Sequence, residues 1–178
     1  MIKQITTKYL RKIRTCEEGV IAFENQTETD PIAILRLCLK SDRWDWANWL
    51  ITRLMTHKQQ VEYAMYAAEL AISKYEKMSS NPAPRKAIDA TKEWLRNPSE
   101  ENSNAAYTAT NTAIFTAAYA PAQAAASATV CATAFAAHSI ANFTYNAYAA
   151  SDAADYAAGD DAALQQTIIE YGIKLLQT

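Results

Sequence analysis

The chain has 178 residues, a formal net charge of −2 and 50% hydrophobic residues, enough for one domain burying roughly 70% of its unfolded surface. Three glycines and five prolines are too few for a turn-rich β protein, so the composition excludes a sandwich or barrel and points to an all-α fold. Residues 1–96 carry 16 Lys/Arg against 12 Asp/Glu, whereas residues 97–178 carry Lys174 alone against seven acids. This distribution argues against phosphate binding by the second half, since counterion release needs clustered bases.

The first helix is expected to start at Thr6 or Thr7 and run through Ile13, with Tyr9 or Leu10 and Ile13 inward. Thr15-Cys16-Glu17-Glu18 has the spacing of a capping box and predicts a helix from Cys16 to about Asn25, burying Cys16, Val20 and Phe23. Asp30-Pro31 reads as an N-cap followed by proline at the first helical position. The helix it opens runs through Lys40, with Ile34, Leu35, Cys38 and Leu39 apolar. Asp42 is expected to cap the next, over Arg43 to Met55, whose stripe is Ala47, Leu50, Ile51 and Leu54 with Trp46 and Trp49 flanking.

Thr56-His57-Lys58-Gln59 is a second capping box. Its helix runs to about Lys77, with Val61, Met65, Ala68, Ile72 and Tyr75 at spacings of four and three, which suits the centre of a bundle. Pro82 and Pro84 interrupt the chain, and a further helix from Arg85 to Arg96 packs Ile88, Thr91 and Leu95. After Ser99, a candidate N-cap, the composition changes. About 26 of the 59 residues from Ala105 to Ala163 are alanine, the strongest helix former, and no Lys or Arg occurs from Asn97 to Ile173. Pro121 divides this tract, a break is expected near Asn142 or Ser151, and the two sides align weakly as a repeat at an offset of 28. Gly159 suits the C′ position, and Asp160 or Asp161 opens a last helix with Leu164, Ile168, Tyr171 and Leu175 inward. The expectation is a single all-α domain over 1–178, a bundle of about seven to nine helices. Its mixed-charge half is 1–96 and its alanine-rich acidic half 97–178.

Little in the chain specifies a reaction. His57 opens a helix, where an exposed imidazole is usual, and His138 lies among alanines. Cys131 is seven residues from His138, about 10 Å by helical rise, too far for a nucleophile and base. The three cysteines, Cys16, Cys38 and Cys131, have neither disulfide nor zinc spacing. The amino terminus lacks a secretory h-region, so a reducing cytoplasm is expected. The uncharged tract is too polar to span a membrane. Asp152 and Asp155 share a helix face near Asp160 and Asp161, but lack the alternating oxygens of a cation loop. No catalytic residue, metal or cofactor is therefore expected.

Tyr107, Tyr119, Tyr145, Tyr148 and Tyr156 are large amphipathic rings in a region of small residues, suited to helix seams or to a protein-binding face. We expect a partner-binding surface made of Tyr145, Tyr148, Asp152, Asp155, Tyr156, Asp160 and Asp161, fitted to a basic protein, with neither nucleic acid nor membrane as ligand. Self-association through the small-residue helices is the other reading, and a homo-oligomer is compatible with both.

Several segments in order carry a resemblance: Thr-Cys-Glu-Glu-Gly-Val-Ile-Ala-Phe from Thr15, Trp-Asp-Trp-Ala-Asn-Trp-Leu-Ile from Trp44 and Tyr-Ala-Met-Tyr-Ala-Ala-Glu-Leu-Ala-Ile-Ser-Lys-Tyr-Glu from Tyr63. Pro-Arg-Lys-Ala-Ile-Asp-Ala-Thr-Lys-Glu-Trp-Leu from Pro84, the alanine tract and Ile-Ile-Glu-Tyr-Gly-Ile-Lys-Leu-Leu from Ile168 continue it. Together they resemble the alanine-rich immunity protein family over nearly the whole chain. The resemblance implies an antagonist of a polymorphic toxin or, in a phage or prophage, of a bacterial defence effector. It implies no catalytic residues. The tract here has Thr, Asn and Tyr where relatives often carry Arg, His or more Ala, which implies a different choice of partner.

Overall fold

A computed structural model describes residues 4–77, 79–118 and 146–178. Every regular element among them is a helix: α1 (Thr7–Lys12), α2 (Glu17–Glu24), α3 (Pro31–Lys40), α4 (Trp44–Leu54), α5 (His57–Glu76), α6 (Ala83–Arg96), α7 (Glu100–Ala118), α8 (Asn146–Ala158) and α9 (Ala162–Leu176). They form one all-α, single-domain bundle. Pro121, Cys131, His138, Tyr119, Tyr145, the repeat and the break near Asn142 lie outside the described residues.

Local chemistry accounts for five of the nine described helix starts. Thr6 accepts from Tyr9 N, Asp30 from Ala33 N, Ser99 from Asn102 N and Asp161 from Leu164 N, each satisfying an amide that the first turn leaves without a partner. Thr56 and Gln59 complete their capping box reciprocally. Gly159 closes α8 at φ 52°, the left-handed conformation that glycine adopts without Cβ strain.

Five expectations need correction. Thr15 does not cap α2: Cys16 is the N-cap, exposed where burial was expected and with no side-chain bond, and the Thr15 hydroxyl is buried without a partner among the described residues. The preceding turn is the cause, because Arg14 at φ 61° lets Thr15 N reach back to Leu10 O and end α1. Asp42 likewise ends α3 instead of starting α4. It takes φ 55°, Arg43 N bonds Cys38 O at 2.8 Å, and Arg43 becomes the uncapped start of α4. Ser151 is no break, since α8 runs through it with that residue buried. His57 is half-buried, its ring edge-on to Trp94 at 5.5 Å.

α5 is the central helix, flanked by α6, α8 and α9, while α4 packs on α3, α8 and α9. The main core joins Leu35, Ile51, Tyr63, Ile72, Ile168 and Ile173, all 2% exposed or less. Alanine sets the spacing of α8. Ala150, Ala153 and Ala154 are fully buried, as are Ala64, Ala67 and Ala68 of α5, so the two helices meet through small faces. Each alanine buries little area, but the close approach gains dispersion contacts along the length of both helices. α6 and α7 form an outer layer through Ala83, Ala87 and Ala113, joined to α5 by Val61, Trp94 and Ala106.

Candidate functional site

α8 has two faces of opposite character, and its alanines determine which is outward. With the small residues docked on α4 and α5, Tyr148, Asp152 and Tyr156 fall one turn apart on the solvent side. The tyrosines are 48% and 49% exposed, high for large rings. Asp160 and Asp161 follow in the exposed turn after Gly159, and Asp161 is engaged as the cap of α9.

A cation from the mixed-charge half borders this acid-only face. The Arg53 guanidinium lies 3.9 Å from the Trp49 ring centre and 4.2 Å from that of Tyr148, so α4 delivers an arginine between two aromatic faces. Arg53 Nη1 donates to Trp49 O at 2.7 Å. Burial lowers the Arg53 pKa, opposed by Tyr148, and burial raises that of Asp152, opposed by Arg53. The charge division along the sequence therefore does not become two separate surfaces, because α8 packs directly on the basic half.

Asp155 differs from its neighbours. The residue is exposed overall, yet its Oδ1 accepts from Trp44 Nε1 at 2.8 Å and from Asn48 Nδ2 at 2.7 Å. Asn48 is fully buried. Its Nδ2 also donates to Ser151 O at 2.9 Å, and its Oδ1 accepts from the hydroxyl of fully buried Tyr63 at 2.9 Å. This chain of hydrogen bonds fixes the rotation of α8 against α4 and α5, which alanine contacts alone would specify weakly. Sequence reading assigned Asp155 to the partner surface and overlooked Asn48. The available signal was an Asn on the inward side of a tryptophan-rich helix, one turn before Thr52, itself buried.

Burial raises the Asp155 pKa, with Asn48 and Trp44 opposing and Asp152 and Asp45 adding to the rise. A carboxyl whose folded pKa exceeds its unfolded value binds more protons when folded between those values, so its contribution to stability falls as pH rises through that window. Asp155→Asn keeps an acceptor for Trp44 and Asn48 without the charge. The variant is expected to gain melting temperature relative to wild type at pH 7 and to lose that gain near pH 4, as measured by calorimetry across the range.

Among the described residues no group of three or more His, Cys, Asp or Glu is gathered to hold a metal ion. No helix among them is long and apolar enough to cross a membrane. In comparison with known proteins, the chain matches no family profile, no curated protein and no solved structure.

Proposed function

We propose that the chain is a non-enzymatic, protein-binding antagonist that neutralises a toxin or a bacterial defence effector in the cytoplasm. The contact surface is Tyr148, Asp152, Tyr156 and Asp160, with Asp155 and Asp161 behind it as structural supports. The observation that carries this reading is the pair of half-exposed tyrosines flanking an exposed carboxylate on a helix whose opposite face is docked. Aromatic rings supply contact area at low entropic cost, and acids steer a basic partner while penalising an acidic one. The ordered resemblance to alanine-rich immunity proteins supports the same reading. A homo-oligomerisation module is the alternative, but the small-residue face of α8 on which it would rely is already occupied by α4 and α5.

Capture from native host extract, followed by identification of the retained protein and calorimetric titration with it, tests the proposal. Binding is expected to weaken markedly above about 0.5 M salt, where the Debye length falls to a few ångströms. Retention of nothing specific, or affinity indifferent to salt, would contradict an acidic docking face.

A further inference from the structure

On the amino-terminal side, α1, α2, α3 and α4 surround a partly open cavity of about 620 Å³. Its walls include Ile5, Leu10, Phe23, Ile34, Trp46 and Trp49, and its size is that of a small-molecule site. The polar groups in its lining are mostly engaged. Arg43 donates to Glu18 at 3.0 Å and to Asp45 at 3.1 Å, and its guanidinium lies 3.5 Å from the Trp46 ring centre. The Gln26 amide donates to Phe23 O and Glu28 O.

One lining residue differs. Arg14, exposed at the turn between α1 and α2, makes no ion pair among the described residues. It places one free positive charge at the edge of an otherwise apolar cavity. The remaining walls ask little of a ligand beyond apolar surface, which a hydrocarbon chain satisfies and a heteroatom-rich ring does not.

We propose that this cavity binds a monoanionic amphiphile, an acyl chain ending in a carboxylate. The chain lies along Leu10, Phe23, Ile34 and the two tryptophans, and the carboxylate pairs with Arg14. A carboxylate suits this end better than an alcohol because a bond between two ions is about twice as strong as one between neutral groups.

Trp46 and Trp49 in the wall report occupancy. Delipidated protein is titrated with a stearic acid carrying a nitroxide on its chain, below the micelle concentration, and the complex is challenged with oleate and with oleyl alcohol. Saturable quenching of tryptophan fluorescence, reversed by oleate, is expected. Arg14→Gln alters an exposed side chain and should weaken oleate about tenfold while leaving oleyl alcohol within about twofold. Ala22→Phe, which fills the cavity, should abolish both. Absence of saturable quenching, equal loss of acid and alcohol in Arg14→Gln, or undiminished binding by folded Ala22→Phe would each overturn the proposal.

Discussion

Replacing Asn48 by Ala is expected to destabilise the chain by about 3 kcal/mol, lowering its melting temperature by on the order of 10 °C. The reason is asymmetry. Asn48 is fully buried, and its loss leaves the hydroxyl of fully buried Tyr63 without an acceptor and removes one of the two side-chain donors, Asn48 and Trp44, that hold Asp155. An unsatisfied buried polar group costs about 1–3 kcal/mol, more than a typical hydrogen bond contributes net. Tyr63→Phe removes that orphan. The double variant should therefore be destabilised by less than the sum of the two singles, with a coupling of about 1 kcal/mol or more. Urea unfolding of the four proteins gives the answer. Strict additivity would show that the two side chains do not act together, and a loss under about 1 kcal/mol for Asn48→Ala would show that α8 keeps its place without them.

Gly172 provides the second large effect, of a different kind. It lies in the middle of α9, where alanine is normally favoured by up to about 1 kcal/mol. Here a Cβ would sit 2.6 Å from Ile51 Cδ1 and 2.8 Å from Tyr63 Cε2, both on fully buried residues. Tyr63 is further held by its bond to Asn48, so neither neighbour yields without moving the core. Overpacking costs about 1–3 kcal/mol and outweighs the gain in propensity. Gly172→Ala should lower stability by about 1–2 kcal/mol and Gly172→Val by more, measured by the same unfolding curves. A stabilised Gly172→Ala would mean that α9 does not approach α4 and α5 this closely.

Helix starts marked by a side-chain oxygen were readable because the donor and acceptor are local. Asp30, Thr56, Ser99 and Asp161 cap as expected. Helix ends at Lys40 and Arg96 were also readable, but the closing geometry was legible only where glycine marked it. Arg14, Asp42 and Gly159 all occupy left-handed closing positions, but a non-glycine residue there carries a strain that only tertiary packing offsets. Apolar stripes revealed the core of α4 and α9, whereas Asn48, Thr52 and Gly172 did not register because polarity and smallness usually signal solvent or a loop. Asn48 depends on partners 15 to 107 residues away, and Gly172 on side chains of two other helices. For the same reason the tyrosines and acids of α8 could be grouped from sequence, but not sorted into the inward-bonded Asp155 and the outward Tyr148, Asp152 and Tyr156.

That α8 acts through its outward tyrosines and acids is tested most directly by calorimetric titration of the identified partner against wild type and against Tyr148→Ala, Tyr156→Ala and Asp160→Lys, each checked for an unchanged melting curve. Each tyrosine truncation should weaken binding about tenfold or more, and the charge reversal should lower affinity at low salt with the difference closing at high salt. Full affinity in all three variants would contradict the assignment of this face.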